Sequence, residues 1–183
     1  MKAEETELKD CWVLEPNVFE DERGYFFEGF NSKRFKSSTG FDFEVKQINH
    51  SRSTKGVLRG LHFQTQEKAQ AKLISCIDGE LLDVAVDLRP KSPTYGKYFM
   101  IRLSAHNKKQ LFIPKGMAHG FLVLSESAKL MYLVDELYSK EHDAGIIYND
   151  PNLNISWGMT ESEMILSEKD KHLPLLKDAK IDF

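Results

Sequence analysis

Long apolar runs are missing from this chain. No segment approaches the ~20 residues that a membrane-spanning helix needs. Cysteine is scarce: Cys11 and Cys76 are the only two, and they match no metal or redox spacing. A reduced, cytoplasmic setting is the expectation. The charged start MKAEETELKD is unlike a signal peptide. There is no basic excess either: 25 Lys and Arg stand against 28 Asp and Glu, a formal charge of −3. That balance argues against nucleic acid and anionic membranes as partners. It leaves room for a local basic pocket around a phosphorylated small molecule. Repeats, linkers and low-complexity stretches are absent, and 183 residues fit a single domain over 1–183.

Helical periodicity is scarce as well. A short helix is expected from Phe30 to Ser38, stopped by Gly40. Another short piece is expected after Ser167, where Ser167-Glu168-Lys169-Asp170 reads as a capping box. What fills the chain instead is short apolar strands between turn residues. In the clearest, Leu82, Val84, Val86 and Leu88 share one face, and Asp83, Ala85 and Asp87 the other. Further strands are expected near 44–49, 56–64, 71–77, 97–104, 110–113, 119–124 and 128–135. Many short strands with few helices predict an all-β sandwich or small barrel, and a jelly roll fits the count. Phe19, Tyr25, Phe26, Phe27 and Phe30 make the N-terminal third densely aromatic. They suit packing on a second subunit or capping of their own core equally well.

The polar residues that break this pattern are the candidates for chemistry. His62 lies near the end of the strand Gly56–Gln64, with Arg59 before it and Lys72 after it. Cations on both sides favour the neutral imidazole, suited to a general base acting on an anionic substrate. A satisfied core histidine is the bland alternative. His119 follows the turn Pro114-Lys115-Gly116 at a second strand start. Metal-holding jelly rolls place His-x-His and a Glu at such ends, whereas this chain has His62-Phe63-Gln64. Two imidazoles without a third strong ligand make a poor transition-metal site, so no metal is expected. Lys72 stands in an otherwise apolar strand and either snorkels or points into a pocket. Tyr132 needs a partner for its hydroxyl. Asp83 could orient His119, and Asp170 could reach back to an imidazole, but spacing alone assigns neither pair. Strict alternation sends Arg59 and His62 to opposite faces, unless Gly60 marks a bulge.

Taken together, these segments resemble the dTDP-4-dehydrorhamnose 3,5-epimerases. The resemblance rests on Asp21-Glu22-Arg23-Gly24, Arg59-Gly60-Leu61-His62-Phe63-Gln64 and Asp83-Val84-Ala85-Val86-Asp87-Leu88-Arg89. It continues through Pro114 to Ser125 and Leu166-Ser167-Glu168-Lys169-Asp170, covering roughly 12 to 176 in order. It implies a cupin-type jelly roll (a double-stranded β-helix), a homodimer, no cofactor and no metal. The implied substrate is a nucleotide-linked 4-keto-6-deoxyhexose, inverted at C3 and C5. By position, His62 matches the base, Asp170 its paired carboxylate, and Tyr132 the acid on the other face of the sugar. Lys72 and His119 match groups near the keto oxygen. Arg23, Glu28, Gln47, Asn49, Arg59, Asp143 and Lys169 match substrate-binding positions, and Tyr138 the position that stacks on the base. The alternatives are a single-site (C3 or C5) epimerase on a related nucleotide-linked keto sugar, a metal-dependent cupin and a non-catalytic sugar-binding jelly roll.

Overall fold

A computed structural model describes residues 1–183. The strands in chain order are β1 (Lys2–Glu5), β2 (Trp12–Glu15), β3 (Val18–Asp21), β4 (Gly24–Phe27) and β5 (Gln47–Thr54). There follow β6 (Leu58–Gln64), β7 (Lys72–Asp78), β8 (Glu80–Asp87) and β9 (Tyr98–Ser104). The last four are β10 (Gln110–Ile113), β11 (Met117–Val123), β12 (Ser127–Val134) and β13 (Asp143–Gly145). Two short α-helices, α1 (Ser32–Thr39) and α2 (Glu168–Lys171), and three single-turn 3₁₀ helices at Gln66–Lys68, Glu161–Glu163 and Leu176–Asp178 complete the regular structure. One sheet runs β1-β2-β10-β7-β12-β5, the other β13-β6-β11-β8-β9, and β3-β4 form a separate hairpin. The result is the expected all-β jelly roll.

The central strands of both large sheets are buried on both faces, which explains why simple alternation is muted. Between them lie Ile74, Leu81, Ala85, Leu111, Phe121 and Leu130. The outer face of the five-stranded sheet is covered by the chain after β13, through Ile146, Leu153 and Trp157. The outer face of the six-stranded sheet is covered by Phe35 of α1 together with Phe43. The alternation in β8 is real, but its polar face is not a solvent face. Leu82, Val84 and Val86 point outward under the C-terminal segment, while Asp83 faces the interior and is fully buried.

Helix α1 starts two residues later than expected because Asn31 caps it, its side chain accepting from Arg34 N at 3.0 Å. Gly40 ends it at φ +82°, as the stop predicted. The largest departure is β5, which runs over 47–54 instead of 44–49. Its polar run His50-Ser51-Arg52-Ser53-Thr54 carries no apolar signal. As an edge strand it shows one face to solvent and the other to a polar cleft. Strands β1 to β4 and β13 were not expected. Each has three or four residues and depends on a partner strand rather than on its own pattern.

Candidate active site

At one end of the sandwich the apolar interior gives way to a polar cleft of about 270 Å³. Asn49, Ser51, Lys72 and Tyr132 line it from the six-stranded sheet, and Arg59, His62 and His119 from the five-stranded one. The two sets therefore stand on opposing walls.

The bulge at Gly60 brings Arg59 and His62 to the same wall. His62 pairs with His119 and Arg59 with Phe121, so Gly60 and Leu61 together face the single residue Gly120. Leu58 and Leu61 go outward into the core, while Arg59 and His62 both face the cleft. Gly60 has φ +127°, and a Cβ there would lie 2.5 Å from Gly120 Cα. Only glycine fits that conformation and that approach.

His62 Nε2 lies 2.5 Å from Asp170 Oδ1. That leaves Nδ1 as the ring nitrogen not engaged by the carboxylate. Asp170 is buried on α2. Burial pushes its pKa up, but His62, the Ser167 hydroxyl and Lys169 together outweigh this and hold it below its usual value. The expected capping box is only half made. Ser167 Oγ accepts from Asp170 N at 3.1 Å, but the Asp170 carboxylate takes the Ser167 hydroxyl and His62 instead of the N-cap backbone. The carboxylate is thereby diverted from capping to the imidazole. A reciprocal capping box occurs instead at Thr160 and Glu163.

His119 Nε2 meets Asp83 Oδ1 at 2.8 Å, and both residues are buried. The other oxygen of Asp83 is buried without a partner. The two histidines are cross-strand neighbours, yet each gives Nε2 to a carboxylate. No cluster of three or more His, Cys, Asp or Glu has metal-holding geometry. Lys72 points into the cleft, its ammonium 3.5 Å from the His62 carbonyl. Burial lowers its pKa to about 8, opposed by the charges of Asp143 and Asp83. The Tyr132 hydroxyl lies 3.0 Å from Ser51 Oγ, and burial raises its pKa to about 12 against the Ser51 hydrogen bond. Arg59 donates from Nε to Ser53 Oγ at 3.1 Å.

A second group borders on β6 and β5. Tyr138 donates its hydroxyl to Asp143 at 3.2 Å, and Lys169 donates to the same carboxylate at 2.5 Å. Gln47 donates to Asn49 at 2.7 Å and accepts from Tyr138 N at 3.1 Å. Arg23 and Glu28 are not brought in. Arg23 sits on the β3-β4 hairpin paired with Asp21, and Glu28 pairs with Arg34. Neither lines the cleft. Conversely, Ser51, His50 and Gln70 line it but were not singled out in the sequence. Serines in a polar run give no signal until the opposite strand is known.

Residues 5–178 match the family model described as dTDP-4-dehydrorhamnose 3,5-epimerase. The chain belongs to this family. It is 51% identical over 173 residues to the dTDP-4-dehydrorhamnose 3,5-epimerase of Escherichia coli, spanning 94% of this chain and 93% of that one. The crystal structure of the Elizabethkingia anophelis enzyme superposes with a TM-score of 0.94 at 52% identity, covering 97% of each chain. The Legionella pneumophila 3,5-epimerase in complex with dTDP-4-keto-L-rhamnose gives 0.93 at 44% identity, covering 97% of this chain and 93% of that one. No helix of this epimerase-family chain is long and apolar enough to cross a membrane.

Proposed function

We propose that the cleft inverts C3 and C5 of dTDP-4-dehydro-6-deoxy-D-glucose, giving dTDP-4-dehydro-L-rhamnose, in activated deoxysugar biosynthesis. Both carbons flank the ketone, so their protons are weakly acidic. His62, oriented by Asp170, takes such a proton and leaves an enolate. Asp170 stabilises the imidazolium that forms. The Lys72 ammonium, with His119 lining the same cleft, stabilises the enolate oxygen, usually the largest single contribution to such a step. Tyr132 returns a proton to the same carbon from the other side, and the configuration inverts. No metal or cofactor enters this scheme.

The observation that carries the reading is the placement of the two proton-transfer groups. His62 and Tyr132 stand on opposing walls of one cleft, as inversion requires and simple exchange does not. Arg59, Gln47, Asn49, Asp143 and Lys169 bind the nucleotide-sugar, and Tyr138, 57% exposed, stacks on the base. The remaining pair, Arg23 and Glu28, belongs to a homodimer. The hairpin leaves Phe19 and Phe26 65% and 70% exposed, and covering it with a second copy removes that apolar surface from water. In the same arrangement Arg23 reaches the partner's substrate diphosphate. The protein works as one domain over 1–183 in the cytoplasm.

The test is incubation with dTDP-4-keto-6-deoxyglucose in deuterium oxide, followed by proton NMR. Deuterium should enter C3 and C5. Entry at one carbon would reject the double inversion and keep the reaction class. No exchange at either would reject this substrate.

A further inference from the structure

Gln64 stands where a metal-binding jelly roll would carry the second histidine of its first motif, and its amide serves a different purpose here. It is 4% exposed and two residues beyond His62 on β6, so both point to the same side of the strand. Its Nε2 donates to the carbonyls of Lys68 at 2.7 Å and Leu137 at 3.2 Å. Its Oε1 accepts from Ser139 N at 2.7 Å. The last two bonds grip the backbone on either side of Tyr138. The Tyr138 N–H is itself held by Gln47, and its ring projects outward, 57% exposed.

We propose that Gln64 is a positioning residue for the nucleotide: it pins the 137–139 loop to the strand that carries His62. This rests on the reading of Tyr138 as the base-stacking residue. The chemistry explains the residue type. The site asks for two donors and one acceptor from a single buried side chain, and only a carboxamide supplies them. A carboxylate has no donor. An imidazole has one donor and one acceptor when neutral. The pin also gives the substrate a fixed span, because the base platform and the proton-abstracting group are tied to one strand.

Gln64→Met removes all three bonds at similar length. The loop keeps other anchors, including Gln70 Nε2 to Glu136 O at 2.7 Å and Thr65 N to His142 O at 3.0 Å, so the fold is expected to survive. The dissociation constant for dTDP, measured by calorimetry, should rise about tenfold, the scale expected when hydrogen bonds of this kind are lost. The rate constant for solvent deuterium exchange at saturating keto-sugar should stay within about threefold. Gln64→Glu, which keeps the acceptor and loses both donors, should shift binding in the same direction and serves if the methionine variant folds poorly. Tyr138→Ala is the reference for the platform itself. If it weakens dTDP binding and neither Gln64 variant does, the positioning role is wrong and the stacking reading stands. If Tyr138→Ala leaves binding unchanged, the stacking reading fails and takes this inference with it. Equal losses in saturated rate and in affinity for the Gln64 variants would also overturn it, since a pin on the nucleotide loop spares the chemistry.

Discussion

At the scale of single residues, the scheme separates proton removal from proton return. His62→Ala should cut deuterium exchange by about 10²–10⁴-fold, the usual contribution of a general base, while nucleotide binding survives. Asp170→Asn should be milder, because it keeps the shape and removes the charge that stabilises the imidazolium. Tyr132→Phe should lower inversion far more than exchange at the carbon that His62 attacks. Equal losses in both would mean that the phenol acts on enolate formation. Lys72 gives a pH signature. Its ammonium is the useful form, and burial brings its pKa down to about 8. The charge is present below that pH and lost above it, so kcat/KM should fall as pH rises through about 8. Lys72→Met should remove that limb and lower the rate by roughly 10²–10³-fold, as for loss of one oxyanion donor. Exhaustive chelation should leave activity whole, and restoration by added zinc, iron or manganese after a loss would refute the metal-free scheme.

At the scale of elements, the decisive feature is one extra residue in β6. Without the bulge, either Arg59 or His62 would face the outer core in place of Leu58 or Leu61. Gly60→Ala forces a side chain into φ +127° and against Gly120. It should cost at least about 1–3 kcal/mol, measured by denaturant unfolding. Activity should fall further than stability, because relaxation of the bulge re-aims His62. An unchanged rate with full stability would show that the bulge does not set the geometry. Short α2 works in the same way. It is one turn long, and its third residue gives its carboxylate to the imidazole and the Ser167 hydroxyl instead of to the N-cap backbone.

At the scale of the whole molecule, Arg23 and Glu28 lie outside the cleft of their own chain. The proposed homodimer supplies them through the hairpin. Phe26→Asp places a charge on the most exposed aromatic of that hairpin and should shift the protein toward monomer in light scattering. Affinity for the nucleotide-sugar should fall together with dimerisation. A variant that stays dimeric with full affinity would remove the hairpin from the interface.

The sequence by itself was enough for the all-β class, most of the central strands, the helix stop at Gly40 and the chemical types at the site. Strand β8 was legible because its side chains alternate, and β7, β10 and β12 because they are short apolar runs set between turn residues. His62, Lys72 and Tyr132 stood out because each is a polar group in an apolar strand, which costs free energy unless it has a partner or a purpose. Tertiary structure decided the rest. Strand β5 became a strand because β12 pairs with it, and its own residues carry no pattern to announce this. The polar face of β8 turned inward because a C-terminal segment, distant in sequence, covers the apolar one. No local pattern pairs Asp170 with His62, since 108 residues separate them; in the sequence only the family resemblance joined them, and the fold is what brings carboxylate to imidazole. Local periodicity records which face a residue shares. Which faces meet, and which stay open as a cleft, depends on contacts between segments that no window of sequence contains.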